Sequence, residues 1–230
     1  MSSVVLLVLG GQQPAERCFS AGYPPALVTS AERDSLDGGE LLLRIIPIEG
    51  RSWPRVCTYS VIDADPQTSI AVLMDYHLQV SYMPRVLHAE VVPDTDATAT
   101  HVAYVVDVPL WRDEVDTLRE TIRRVTGRSG DGYALEWHAL ASTGTNAIDG
   151  SATFVPWRNA QTARVGTLMV YEQAVDPKSW LTRIPFIRNR GIDAVRDATT
   201  ALARRIATEL QSEPDLLAGQ MATFKRTLAP

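Results

Sequence analysis

The chain has 230 residues, 45% of them apolar and 21% charged, with a formal net charge of −5. That length suits one large domain, able to bury about 70% of the surface its unfolded chain exposes. The acidic balance argues against nucleic acid as a main partner, because phosphate binding needs a basic face. Arg183, Arg188 and Arg190 are the candidates for a local basic patch. No run approaches the roughly 18 apolar residues that a membrane-spanning helix needs.

The first apolar run, Val4 to Leu9, reads either as the end of an export signal or as a leading strand. The linker-like stretch from Gln12 to Pro25 tips the reading toward export. Cys18 and Cys57 have no metal spacing, and their pairing cannot be inferred from sequence. Cys57 sits in an apolar strand pattern and reads as a small core residue.

Ser30 to Leu36 predicts a short helix capped by Ser30 and ended by Gly38 and Gly39. Glu40 to Ile48 and Arg55 to Ile62 are β-rich runs joined by a turn. Asp65 and Pro66 are a cap and a first helical residue, and a second short helix spans Tyr76 to Tyr82. The period then changes to that of strands: Arg85 to Val92, Ala99 to Val108, Val115 to Val125 (whose Glu, Arg and Leu would also suit a helix), Tyr133 to Ala141, Ser151 to Pro156 and Arg164 to Val175. Turns are expected at Gly127 to Gly132 and Gly144 to Gly150. Such short connections favour antiparallel neighbours. From Ile192 the apolar positions run Val195, Ala198, Leu202, Ile206 and Leu210, one face of a helix that Pro214 stops. A helix of about 20 residues is about 30 Å long, enough to cross a sheet. Asp215 to Lys225 adds an amphipathic turn or two.

Standard chemical motifs are missing. His88-Ala89-Glu90 lacks the second half of a zinc-deaminase signature. The four histidines are scattered, and neither G-x-S-x-G nor a glycine-rich phosphate loop occurs. No metal or cofactor is expected.

Several stretches in order carry a family resemblance. "CTYSVIDADPQTSIAVLMDYHLQVSYMPRV" (Cys57 to Val86) resembles the second strand and following helices of START-like proteins, the SRPBCC or Bet v 1-like superfamily. "AERDSLDGGELLLRI" resembles the lead-in helix and first strand of its bacterial lipid-binding branch. "DVPLWRDEVDTLRETI" and "SATFVPWRNAQTARVGTLMVYEQAVDP" resemble a later strand entry and the closing hairpin. The resemblance implies an α+β, helix-grip fold: a curved antiparallel sheet wrapped around a long C-terminal helix, with two short helices near the start. Residues 1–25 would be an extension or export remnant, 26–212 the START-like domain, and 213–230 a tail with some helix.

The resemblance also implies a tunnel between sheet and helix that holds a lipid or another apolar molecule. The expected lining is Tyr104, Asp107, Trp111, Leu118, Glu120, Trp137, Met169, Tyr171, Ile187, Ile192 and Val195. Asp107, Glu120 and Glu136 stand within apolar strands, Glu120 on the strand face of Leu118 and Ile122; they either face water or, one or two of them, orient a ligand's polar end. Trp180, Arg183, Phe186 and Arg188 are placed at a tunnel mouth where transient membrane contact is expected. A non-catalytic carrier is the first reading. A cyclase pairing Glu120 with Arg119 or His138, and a protein-interaction module, are the alternatives.

Overall fold

A computed structural model describes residues 5–7, 18, 28–93, 98–108, 112–127, 130–179 and 184–228. In chain order the elements are β1 (Val5–Leu7), α1 (Ser30–Asp37), β2 (Leu42–Ile46), β3 (Arg55–Ile62), α2 (Pro66–Leu73), α3 (Tyr76–Tyr82), β4 (Val86–Val92), β5 (Thr100–Val106), β6 (Glu114–Gly127), β7 (Gly130–Ser142), β8 (Thr145–Arg158), β9 (Val165–Pro177), α4 (Pro185–Ser212) and α5 (Pro214–Thr227). Among the described residues nine strands form one sheet, in the order β1-β2-β3-β9-β8-β7-β6-β5-β4. Every pairing is antiparallel except β1 with β2.

Local chemistry accounts for the elements. Asp65 caps α2 by accepting from the Thr68 N–H at 3.0 Å, and Pro66 supplies the first helical residue. For α1 the cap is Thr29, not the expected Ser30. Thr29 Oγ1 accepts from the Glu32 N–H, and Glu32 accepts from the Thr29 N–H at 2.7 Å, a reciprocal capping box. The expected turn at Gly144 to Gly150 is also corrected, because β8 starts at Thr145 and continues through Gly150. A Cβ at Gly150 would lie 2.4 Å from the Trp137 ring. The glycine is there for close packing on a strand, not for a turn.

Helices α2, α4 and α5 cover one face of the sheet. Leu135, Ala152, Phe154 and Met169 of the strands pack with Ile70 of α2, Leu202 and Ile206 of α4, and Phe224 of α5. Phe224 meets the Tyr133 ring edge-on, with centroids 5.1 Å apart. The tail thus forms a helix of 14 residues that seals one end of this core. α4 itself has 28 residues and crosses toward β2 and β3, where Ile192 packs with Leu43 and Val56. Trp53 from the β2–β3 turn lies against Gly191, where a Cβ would be 2.3 Å from the ring.

The α4 stripe differs from the expected one at its end. Leu210 is exposed, and Glu209 is buried in its place. Arg205 makes this tolerable by donating to Glu209 at 2.5 Å and to Glu213 at 2.8 Å. Thr199, rather than Ala198, is the fully buried middle residue.

The opposite face of the sheet holds a second core with Leu36, Tyr59, Val155, Trp157, Leu168 and Val170. Cys57 is buried there as expected, and is bonded to Cys18. The Cys18 N–H donates to Glu172 and Tyr59 donates to the Cys18 carbonyl, both at 3.1 Å, while Arg55 pairs with Glu172. The bond closes a separation of 39 residues. Cys18→Ser is therefore expected to cost about 3 kcal/mol, mostly through a looser unfolded state. Urea denaturation checks this, and an unchanged midpoint would contradict it.

Candidate functional site

Strand alternation decides which side chains face α4. On β6 these are Glu114, Asp116, Leu118, Glu120 and Ile122; on β9 they are Met169, Tyr171, Gln173 and Val175. Trp137 of β7 faces the same way. Its N–H donates to Gln173 at 3.1 Å, and its ring lies 5.3 Å from that of Tyr171.

These inward groups are not equally enclosed. Met169 has no exposed surface and belongs to the closed core under α2 and α5. Leu118, Ile122, Ala139, Tyr171 and Val175 are only half-buried, although they pack against that core. Interiors at ordinary protein density leave few gaps. Burial of the inner face is therefore uneven, complete at Met169 and partial at these five side chains. The Tyr171 hydroxyl has no hydrogen-bond partner among the described residues.

Glu120 is the buried polar centre of this region, at 3% exposure. Tyr76 of α3 donates to one carboxylate oxygen at 2.8 Å, and Tyr104 of β5 to the other at 3.3 Å. Burial pushes the Glu120 carboxyl up to about 7 despite these two donors. Burial also raises Tyr76, Tyr104 and Tyr171, and the charge of Glu120 adds to each.

The expected lining residues separate into groups. Tyr104, Leu118, Glu120, Trp137 and Tyr171 come together. Ile192 and Val195 lie further along, against β2 and β3, and Ile187 is half-buried on the first turns of α4. Asp107 is corrected: it lies just past β5, exposed, 3.7 Å from Arg85. Trp111, Trp180 and Arg183 lie outside the described residues. Phe186 and Arg188 are exposed at the start of α4, with Arg190 stacked 5.3 Å over the Phe186 ring.

Among the described residues Glu120 pairs with neither Arg119 nor His138. Arg119 neighbours Glu120 on the strand, so it faces the other way, and it donates to Thr121 and Thr98. His138 faces outward beside Trp137 and is exposed. Glu136 likewise faces outward and pairs with Arg123 at 2.7 Å. Among the described residues no group of three or more His, Cys, Asp or Glu could hold a metal ion, and no helix is long and apolar enough to cross a membrane. Sequence reasoning missed Tyr76, which a short helix hides, and Asp116, whose period-two relation to Glu120 was available.

No protein-family model matches the chain, and no curated protein matches it in sequence. Solved structures match in fold. Human STARD10 superposes with a TM-score of 0.61 at 11% identity, over 83% of this chain and 78% of that one. A STAR-related lipid transfer protein from Xanthomonas axonopodis gives 0.56 at 18% identity, over 71% and 91%. A START superfamily protein from Mycobacterium smegmatis gives 0.52 at 11%, over 67% and 97%. The chain has the START-like, helix-grip fold that its motifs resemble.

The raised Glu120 carboxyl has a measurable consequence. Its folded-state value lies above the ordinary 4.5, so folding favours the protonated form. That stability is fully present below about 4.5 and is lost as pH rises through about 7. Wild type is expected to lose about 2 kcal/mol more than Glu120→Gln between pH 5 and pH 8, from the shift of Glu120 alone. Parallel pH–stability curves in urea denaturation would contradict the assignment.

Proposed function

We propose that the protein binds and carries a hydrophobic small molecule, a lipid being the best fit, between the sheet and α4. One observation carries the reading: Leu118, Ile122, Ala139, Tyr171 and Val175 face the helices yet stay half-buried. Apolar surface left open inside a fold is stabilised by an apolar guest, at roughly 25 cal/mol per Å² covered. The aromatic groups Trp137 and Tyr171 and the polar groups Glu120 and Gln173 give the mixed lining typical of small-molecule sites. The fold shared with the lipid transfer protein from Xanthomonas axonopodis supports the same reading.

Ile184 and Phe186 are exposed at the start of α4, beside Arg188 and Arg190. Apolar groups flanked by arginines suit transient contact with an anionic membrane surface, where a cargo would enter or leave. The Cys18–Cys57 bond suits an oxidising, exported setting.

Two measurements test this. Native mass spectrometry of protein purified from cells is expected to show a bound apolar molecule, and Ala139→Trp, which fills the open space, should reduce the occupied fraction at least tenfold. A protein that is empty and takes up no added lipid would contradict the proposal. Sedimentation with vesicles containing anionic lipid should fall severalfold in Ile184→Ser/Phe186→Ser. Equal sedimentation would remove the membrane contact while leaving the carrier reading in place.

A further inference from the structure

The Glu120 end of the interior has a second acidic feature. Glu114 and Asp116 lie on the inward face of β6, two residues apart and in register with Val106 and Tyr104 of β5. Asp116 is 7% exposed, and its Oδ1 is buried without a hydrogen-bond partner. The Glu114 carboxyl lies beside it, and Ser142 of β7 donates to Glu114 at 2.8 Å. Burial, with the Glu114 charge beside it, pushes Asp116 up to about 6, against the Ser142 hydrogen bond and Lys178. Gly144 leaves room for this arrangement, since a Cβ there would lie 2.7 Å from the Glu114 carboxyl carbon.

Among the described residues Lys178 is the cation whose charge acts on Asp116, one cation beside two carboxyls. Lys178 follows β9 at this end, and its Nζ donates to the Ser142 carbonyl at 2.7 Å. The cations on the inward face of β6 and β8, Arg124 and Arg158, are exposed near the other ends of those strands. Further along the same face of β6 stands a third carboxyl, Glu120. An unpartnered buried acceptor is costly, more so when charged. Two carboxyls fall short of the six to eight oxygens that calcium takes. An alcohol offers one donor and no charge, and a carboxylate or phosphate would add a like charge. A primary ammonium supplies three donors and the opposite charge.

We propose that this end of the interior receives the ammonium of a long-chain primary amine, with Asp116 and Glu114 as its anionic partners and its chain running toward Leu118, Tyr171 and Val175. The proposal rests on the hydrophobic-ligand reading and adds the chemistry of the polar end. The test is displacement of the neutral dye Nile red at pH 7 by dodecylamine, dodecanol and dodecanoate. Dodecylamine is expected to act at a concentration at least tenfold below that of dodecanoate, and below that of dodecanol. Asp116→Asn should weaken dodecylamine at least tenfold more than it weakens dodecanol. Glu114→Gln, further toward the rim, serves as a second variant with the same direction. Dodecanoate matching the amine overturns the amine assignment and leaves a hydrophobic carrier. Variants that weaken amine and alcohol equally do the same. If none of the three displaces the dye, or the dye itself does not bind, the hydrophobic-ligand reading falls as well.

Discussion

One helix cannot cover a nine-stranded sheet, and the line along which α4 crosses it determines what stays open. That line is fixed on β3 by the hydroxyls of Thr58 and Thr199, 2.7 Å apart and fully buried. Leu202 and Ile206 then reach the core shared with α2 and α5, and Ile192 reaches β2 and β3. Each hydroxyl also reaches a backbone carbonyl, Tyr171 for Thr58 and Val195 for Thr199, so the pair joins a buried hydrogen-bonded network that is costly to disrupt. The helix is therefore held toward the β3 side, and β6 and β7 receive less cover. The half-buried side chains of that region follow from this placement.

Polar groups reinforce the asymmetry. The Glu120 carboxyl ties α3 to β5 and β6 through Tyr76 and Tyr104. Low dielectric strengthens these contacts and also makes any remaining unpaired acceptor expensive. Asp116 carries such an acceptor on the same strand face. The interior is thus apolar along β7 and β9 and acidic along β6. A molecule with an apolar body and a donor-bearing end suits both surfaces.

Much of the architecture was legible from periodicity. Arg55–Ile62 and Tyr76–Tyr82 match the expected bounds, because turn chemistry and Asp65-Pro66 mark their surroundings. Glu120 was placed inward by its period-two relation to Leu118 and Ile122. Asp107 was misplaced because it falls just past the end of β5, where alternation no longer orients a side chain. Gly150 misled because a glycine in a strand and one in a turn look alike locally, and only the Trp137 ring distinguishes them. Glu209 replaced Leu210 because a packed Arg205 neutralises it, which the helical period does not record. The Cys18–Cys57 bond left no local signal, since its partners are 39 residues apart.

The most direct measurement is a crystal structure of the protein grown with a brominated long-chain ligand. Bromine anomalous density between α4 and the strands, in contact with Leu118, Tyr171 or Val175, is the predicted result. Density only on the outer surface, with side chains closing that region in a tightly packed core, would contradict the central claim.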